Sequence, residues 1–510
     1  MPKFLENTST GNGWFLNLLR QEKEERTTFF VLVLLSIVSS QLLITTDGNL
    51  FEPIAIIVIV SVVLITFYRL DWGLMLFIGM VLALDQFAPK GFARSIIGVE
   101  YFRNLKTLSY FSGIDLAVVN PLELHLLLLL FVWLILIAMG KRVILNRVPV
   151  WPAALIFFLW LSISAIYGIE TGGEFLPALW ELRALFYMGL MYFLVPQIIQ
   201  TKDQLEKLVW VCIVAISFKA FQGTVRYIRL GFDLGGRDEL TSHEDPLFFI
   251  SLFILLFGLT LFGSNVKQRK VLTWLMVPLL FVFLLAQRRA TYAALGIALI
   301  AFMVILHKKE RRKMFKMILP AGIIVTAYLI AFWNSTSSFG LTAQLIKSSF
   351  LSNTDKDIVR YYSTLYREME NYNLAQTVKK SPIIGIGFGN KYEQPIELPR
   401  IRFPLRDYIP HNEILWLQVK MGGVGFFFFW IFINSFVYQA SSTFSRLKDP
   451  YLQAVCAVSI IAIVGQIVVS FFDLQLTFYR NMIYLGSLMG LLPTIDMIDK
   501  NIKVLVSLER

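Results

Sequence analysis

The chain alternates between long apolar stretches and short charged ones. Stretches such as "ELHLLLLLFVWLILIAMG" (123–140) and "VLTWLMVPLLFVFLLAQ" (271–287) carry a single formally charged residue, Glu123, between them. Each stretch is long enough to cross about 30 Å of hydrocarbon as an α-helix. Only helices and closed barrels satisfy backbone hydrogen bonds in lipid, so the pattern predicts an all-α polytopic membrane protein.

The same pattern predicts about 12–14 transmembrane helices. The predicted spans are 27–46, 53–68, 71–88, 120–140, 149–168, 176–198, 206–224, 246–263, 271–287, 290–307, 317–334, 412–437, 451–472 and 478–495. The predicted organisation is an N-terminal segment 1–26, a bundle of about 11 helices over 27–334, a large loop 335–411, C-terminal helices 412–495 and a tail 496–510.

Composition agrees with a membrane protein and excludes a nucleic-acid partner. Hydrophobic residues make up 56% of the chain and charged residues 16%, with a net charge of +12. In membrane proteins Lys and Arg accumulate in cytoplasmic loops because of how helices insert, so the positive charge does not require a nucleic-acid partner.

Cys212 and Cys456 both fall in predicted spans, so no disulfide framework is expected. The charged N-terminus shows no cleavable signal pattern.

Short basic loops set the predicted orientation. The loops 141–147, 267–270, 308–316 and 445–448 all carry Lys and Arg, and fourteen spans with a cytoplasmic N-terminus put every one of them in the cytoplasm. The N-terminal segment and the tail are then cytoplasmic as well. The loop 335–411, the turn 286–291 and the segment 226–246 fall on the opposite face.

Two adjacent arginines in the outer turn "AQRRAT" are candidate anion ligands. Arg288 and Arg289 lie between two apolar spans, on the face where basic residues are disfavoured. A guanidinium group binds phosphate oxygens with two parallel hydrogen bonds, which suits a lipid diphosphate at the membrane surface. The alternative is interfacial snorkelling, in which the side chains reach lipid headgroups.

The large loop contains an amphipathic helix followed by a glycine-rich turn, "REMENYNLAQTVKKSPIIGIGFGN" (367–390). Gly385, Gly387 and Gly389 form GxGxG, which is not the dinucleotide-binding pattern GxGxxG. Their simplest role is a tight backbone turn, and the alternative is an anion-binding nest of successive amides. Arg367 by itself is typical of a solvated helix charge.

His411 stands where the loop ends and an apolar helix begins. In "IPHNEIL" either His411 or Asn412 is expected near the N-cap, with Glu413 in the first turn. The positive end of the helix dipole disfavours the imidazolium form. A neutral imidazole at the water–lipid boundary can accept a proton from an attacking hydroxyl, whereas a simple capping histidine would do no chemistry.

Other catalytic patterns are missing from the sequence. There is no GxSxG, HExxH or Cys/His pattern, and His243, Glu244 and Asp245 match no known metal-ligand spacing, so no metal is expected. Ionisable residues inside the predicted spans are expected to face the bundle interior or an aqueous cleft. They include Asp85, Glu181, Arg183, Lys219, Lys420 and Asp473.

Four stretches together resemble the O-antigen ligase and O-antigen polymerase superfamily of bacterial membrane glycosyltransferases. They are "QRRATYAAL" (287–295), "REMENYNLAQTVKKSPIIGIGFGN", "HNEILWLQVKMGGVGFFFF" (411–429) and, more loosely, "GRDELTSHEDPLFF" (236–249). The resemblance covers about 230–430. The chain departs from the family pattern where Arg288 replaces a small hydroxyl residue, Thr291 an alanine and Asn371 a tryptophan.

The resemblance implies a metal-independent glycan transfer, without cofactor, on the periplasmic face of the bacterial inner membrane. The donor would be a glycan linked to undecaprenyl diphosphate, and the acceptor a hydroxyl of a saccharide, lipid A-core or other glycan. His411 would activate the acceptor, while Arg289 and Arg367 would bind the diphosphate. Further substrate contacts would come from Asn412, from the three glycines, and from Arg288 and Arg360. Arg288 could take the role of Arg289, and Arg360 could take the role of Arg367.

Two alternatives remain open from the sequence. A polymerase of the same superfamily would join repeat units; some polymerases carry an Arg-x10-Gly motif in two outer loops, and the predicted outer loops here lack that spacing. A transporter of saccharide or a small anion would line its path with buried charges such as Glu181, Lys219 and Asp473. The sequence identifies neither the sugar nor the acceptor.

Overall fold

The computed structural model of the protein describes residues 51–87, 99–105, 118–141, 148–232, 240–286, 288–335, 340, 342–343, 346–347, 358–401 and 403–508. The predicted N-terminal segment 1–26 and the predicted span 27–46 lie outside these residues. The helices are α1 Phe51–Tyr68, α2 Leu70–Ala83, α3 Val99–Phe102, α4 Pro121–Ala138, α5 Trp151–Glu170, α6 Phe175–Ile198, α7 Lys202–Arg229, α8 Asp245–Phe262, α9 Val266–Leu285, α10 Arg289–Ile305, α11 Lys308–Phe332, α12 Ile358–Lys380, α13 Glu413–Arg446, α14 Pro450–Ser470 and α15 Tyr479–Leu508.

The structure confirms the all-α polytopic membrane fold. Among the described residues ten helices are long and apolar enough to cross a membrane, and three apolar helices are shorter. No strand occurs in the part of the chain that the structure describes. The least buried of the ten long helices, α11, exposes apolar side chains that include Ile323, Ile324 and Ile330, as expected for a surface in contact with lipid.

Several helices begin or end beyond the predicted spans. Helix α11 begins at Lys308 rather than near 317, so the basic run 308–316 is helical. Helix α13 continues to Arg446 instead of 437, and α15 runs to Leu508 through residues predicted as a tail. Lys, Arg and Glu are good helix formers, so a helix can continue beyond the hydrocarbon layer into the polar interface.

Local sequence explains where key helices begin. Asn120 accepts a hydrogen bond from the Glu123 amide while the Glu123 side chain bonds the Asn120 amide, a capping box that starts α4. Thr201 and Gln204 form the same arrangement at α7. At α13 the Asn412 side chain accepts from the Leu415 amide, so Asn412 rather than His411 is the N-cap.

Helix α13 breaks at Gly422, and a loop segment occupies the break. Gly422 has φ 64° and ψ −174°, outside the helical region. The freed groups bond to the glycine-rich turn: the Gly423 amide donates to Pro382 O at 2.8 Å, and the Ile386 amide donates to Val419 O at 2.9 Å. Trp160 of α5 donates to Met421 O at 3.0 Å. The turn is therefore built into the bundle.

The connections between helices lie at two ends of the bundle. At one end Lys202 pairs with Asp449 at 2.5 Å, and Gln268 donates to the Glu206 carbonyl, so segments near the predicted basic loops 267–270 and 445–448 lie together. At the other end the turn before α10 reaches the loop before α15 through Arg288 and Asp473. This second end also holds the glycine-rich turn and α12.

A buried ionic cluster fixes the segment that carries His243. Arg480 of α15 donates to Glu244 and to Asp245, each at 2.8 Å, and the adjacent Ser242 donates to Asp85 at 2.6 Å. Three acidic and three basic side chains balance within the cluster, which lowers the cost of burying each charge. Its members are Asp85, Glu244, Asp245, Lys219, Arg226 and Arg480.

Candidate active site

One face of α12 carries the polar residues around which the site is built. Thr364, Arg367 and Asn371 follow each other at intervals of three and four residues, so they lie on one side of the helix. An adjacent side is buried against the remainder of the loop through Tyr366 and Leu374. The polar face is therefore held in a fixed orientation.

The loop that follows α12 locks this orientation. The Asn373 side chain accepts from the Ile396 amide at 3.0 Å and donates to the Ile396 carbonyl at 2.7 Å. Thr377 accepts from the Glu393 amide at 3.0 Å. Because Asn373 and Thr377 are fully or almost fully buried, these bonds satisfy polar groups that would otherwise destabilise the loop.

His411 lies against α12 and not free in solvent. Its ring Nδ1 is 3.2 Å from Oε2 and 3.3 Å from Oε1 of Glu370, and its backbone amide donates to Oε2 at 2.8 Å. The Tyr366 ring packs edge-on against the imidazole, with ring centroids 5.6 Å apart. The next residue, Asn412, donates to Asn371 at 3.1 Å, which brings the N-terminus of α13 to the polar face of α12.

The two adjacent arginines contact different partners around the same face. Arg289, the first residue of α10, donates from Nη2 to the Thr364 hydroxyl at 3.3 Å. Arg288 donates from Nη1 to Asp473 Oδ2 at 2.8 Å. Both predicted arginines therefore point towards the site, and the structure does not select one over the other.

Asp473 links Arg288 to His243 and to Arg367. His243 Nδ1 lies 3.7 Å from Asp473 Oδ2. Burial alone would raise the pKa of the Asp473 carboxyl, but the nearby His243 imidazole and the positive charges of Arg288 and Arg367 together hold it well below its usual range. The guanidinium groups of Arg288 and Arg367 thus act on one carboxylate.

Arg367 has a buried hydrogen-bond donor, its Nε, that bonds to no other group among the residues that the structure describes. An unsatisfied buried donor costs free energy, and an anionic ligand would satisfy it. Arg360 precedes Arg367 by about two turns of the same helix, but its side chain lies outside the described part of the chain.

The three glycines have a packing role. Each has a positive φ, between 75° and 83°, and a Cβ on Gly387 would lie 2.3 Å from the Cα of Gly168. The Gly387 amide donates to Lys420 O at 3.0 Å and the Gly389 amide donates to Glu181 Oε2 at 2.6 Å. These amides already bond within the protein, and the predicted contact of the glycines with substrate stays a prediction.

The predicted buried charges form pairs in separate places. Glu181 pairs with Lys420 at 2.7 Å, Arg183 with Glu123 at 3.3 Å, and Lys219 with Asp85. Asp473 pairs with Arg288. Glu181, Lys219 and Asp473, the residues of the transporter alternative, therefore each have a partner of opposite charge.

Sequence reasoning missed Glu370 as a site residue. Glu370 follows Arg367 by three residues on a helix, a spacing that puts the two side chains near each other and was available as a signal. Its contact with His411 spans 41 positions and could not be derived from spacing. Asp473 was identified only as a buried charge, because nothing in the sequence pairs it with Arg288.

The fold and this cluster define a class: a multi-pass helical membrane protein with a histidine–carboxylate pair and several arginines at one end of the bundle. Residues 274–430 match the family model described as O-antigen ligase. The match confirms the resemblance to the O-antigen ligase and polymerase superfamily, and it includes Arg288, Arg289, α12 and His411. No curated protein sequence matches the chain. The family implies a glycosyltransferase-type membrane enzyme.

Proposed function

We propose that the protein transfers a glycan from undecaprenyl diphosphate to an acceptor hydroxyl on the periplasmic face of the inner membrane, as an O-antigen ligase-like enzyme. The observation that carries the proposal is that Arg289 and His411 contact α12 on either side of Arg367: Arg289 contacts Thr364, three residues before it, and His411 contacts Glu370, three residues after it. A base and a cluster of guanidinium groups are the two elements that such a transfer needs.

The arginines would stabilise the leaving group. When the bond between the anomeric carbon and the diphosphate oxygen breaks, negative charge grows on the diphosphate. Preorganised guanidinium donors stabilise this charge more in the transition state than in the ground state. The buried Nε of Arg367 and the Nη2 of Arg289, which here contacts Thr364, are donors suited to phosphate oxygens.

His411 would activate the nucleophile. The acceptor hydroxyl gives its proton to the imidazole while its oxygen bonds to the anomeric carbon, and undecaprenyl diphosphate leaves. The imidazolium proton then passes to solvent. His411 is partly exposed, at 24% of its side chain, so an acceptor can reach it, and its partner Glu370 follows Arg367 by three residues on α12.

Glycan analysis of a deletion strain tests the proposal. We expect loss of the gene to leave glycan unattached on its lipid carrier, and the His411→Ala variant to fail to restore attachment although it is expressed and inserted normally. Restoration by His411→Ala would remove the proposed base. Accumulation of short glycan chains already attached to acceptor would instead identify a polymerase.

A further inference from the structure

The contact between Glu370 and His411 has the geometry of a carboxylate that orients a catalytic imidazole. Both carboxylate oxygens lie within 3.3 Å of the ring Nδ1, and Oε2 also accepts the backbone amide of His411. The Glu370 side chain is 2% exposed, so its charge is taken out of water and depends on these donors. Glu370 therefore fixes both the backbone and the ring of His411.

We infer that Glu370 is a positioning residue that keeps the proton of neutral His411 on Nδ1 and leaves the lone pair of Nε2 free for the acceptor hydroxyl. The inference rests on the proposed function, in which His411 is the base. During transfer the acceptor proton moves to Nε2, and the Glu370 carboxylate stabilises the imidazolium that forms.

The surroundings of the pair favour this role. Tyr366 packs edge-on against the imidazole and closes one side of it. Burial raises the pKa of the Tyr366 phenol to about 12, so the group stays neutral next to the histidine. Asn373, one turn after Glu370, anchors α12 to the loop through Ile396. The carboxylate is therefore held by rigid structure.

The Glu370→Gln variant separates positioning from simple packing. Glutamine has the same shape, and its carbonyl oxygen can accept the His411 backbone amide as Oε2 does. Its amide nitrogen then takes the place of Oε1, 3.3 Å from Nδ1, and donates to that ring nitrogen. This arrangement favours the tautomer with the proton on Nε2, which cannot accept a proton from the acceptor.

Nitrogen NMR on histidine-labelled full-length protein in nanodiscs reads the tautomer directly. The chain has four histidines, so the His411 signal can be assigned by comparison with His411→Gln. At about two pH units above the ordinary histidine pKa of about 6.5, we expect a protonated Nδ1 and an unprotonated Nε2. In Glu370→Gln we expect the opposite tautomer. An Nε2-protonated ring in the unchanged protein would overturn the inference, whatever the activity.

Transfer rates provide the second measurement, with Glu368→Gln as the matched control. Glu368 lies on the same helix and is exposed. In membranes from the deletion strain, which supply donor and acceptor, we expect Glu370→Gln to lower the rate about 100-fold or more. The control should match the unchanged protein. Binding of undecaprenyl diphosphate, measured by thermal shift, should change less than about threefold in both, because Glu370 acts through His411 and not on the donor.

The two failures are distinguishable. If His411→Ala abolishes transfer while Glu370→Gln stays within about threefold of the control, His411 acts without positioning by Glu370 and only the inference is wrong. If His411→Ala transfers normally, the proposed function loses its base, although the NMR result still shows whether Glu370 sets the tautomer. A loss of diphosphate binding in Glu370→Gln would identify Glu370 as part of the donor site and overturn the positioning role.

Discussion

The guanidinium Nη1 of Arg288 lies 2.8 Å from Oδ2 of Asp473, which joins the turn before α10 to the loop before α15. The same carboxylate is affected by His243 and by Arg367, which stands on α12. One acidic side chain thus ties three separate segments together at the candidate active site. A second contact holds the loop before α15 in place: the Glu413 carboxylate accepts hydrogen bonds from the Thr477 amide at 3.1 Å and from the Thr477 hydroxyl at 2.6 Å.

Asp473 should make the protein less stable in acid. Burial by itself raises the pKa of Asp473, but the nearby His243 and the arginine charges lower it by more, so the pKa in the folded state is below that in the unfolded state. Its stabilisation is then complete above about pH 4 and is lost as the pH falls below that value. In detergent we expect the melting temperature of the unchanged protein to fall more steeply between about pH 5 and pH 3 than that of Asp473→Asn.

The control for this prediction is Asp203→Asn. Asp203 is exposed and pairs with Lys207 at the other end of the bundle, so its removal should leave the pH dependence almost unchanged. Parallel melting curves for Asp473→Asn and the unchanged protein across this pH range would contradict the assigned coupling.

Arg367 should be required for transfer because its planar guanidinium group can donate two parallel hydrogen bonds to phosphate oxygens. We expect Arg367→Ala to lower the rate about 100-fold or more, because one preorganised donor group to the leaving diphosphate is removed. Arg367→Lys should recover only part of the activity, since an ammonium group carries the charge without the planar fork. The measurement is release of undecaprenyl diphosphate from membranes of the deletion strain.

Arg229→Ala serves as the comparison for Arg367. Arg229 is an exposed arginine at the end of α7, away from the contacts described for the site. Its removal changes net charge by the same amount, so a similar loss of activity in both variants would indicate a general charge effect. Full recovery by Arg367→Lys would show that the fork is unnecessary.

Gly422 should not tolerate a side chain. A Cβ at this position would lie 2.2 Å from the Ile383 carbonyl oxygen, and the backbone φ of 64° is unfavourable for other residues. The backbone conformation alone is expected to cost about 1–3 kcal/mol. We expect Gly422→Ala to lower the melting temperature or the yield of folded protein in detergent. Gly296→Ala in α10, where a Cβ meets open space, should leave the protein as stable or slightly more stable.

The buried pair of Glu181 and Lys420 should be sensitive to the loss of one charge. Both side chains are fully buried and 2.7 Å apart. Lys420→Met leaves an uncompensated carboxylate and is expected to cost about 3–5 kcal/mol, whereas the double variant Glu181→Gln/Lys420→Met should recover part of that loss. Thermal unfolding of the two variants measures the difference. Equal destabilisation by single and double variants would argue against a paired ionic state.

Surface labelling tests which end of the bundle faces the periplasm. Lys391 lies next to the glycine-rich turn and Lys448 at the opposite end, and both are exposed. With Cys212 and Cys456 replaced by alanine, a membrane-impermeant maleimide applied to intact spheroplasts should label Lys391→Cys and not Lys448→Cys. The reverse result would put the candidate active site in the cytoplasm and exclude a periplasmic transfer.

Hydrophobic patterning predicted the helices well because lipid leaves the backbone few alternatives. The predicted span 149–168 compares with Trp151–Glu170, and the span 246–263 with Asp245–Phe262. The ends were less accurate where charged residues extend a helix beyond the membrane, as at Lys308. Position in the chain also identified His411 and the arginines as candidates.

The hydrophobic pattern could not predict contacts between segments that are distant in the sequence. The glycine-rich turn was expected to form an anion nest or a surface turn. In the structure it packs against helices α5 and α13, and neither helix sequence indicates that packing. Gly387 needs the bare backbone of Gly168, and Gly385 that of Gly422. Such matches depend on how two helices pack against the turn, which no single stretch of sequence encodes.

The break in α13 has a consequence for how the molecule assembles. Its open carbonyls and amides are satisfied by residues 382–387, and the Trp160 indole completes the junction. Since these segments leave the ribosome in the order α5, turn, α13, the junction can form only when α13 inserts and closes upon the two earlier segments. Biogenesis would then bring His411 to α12 only at that step, and a chain in which α13 has not inserted would be chemically inert.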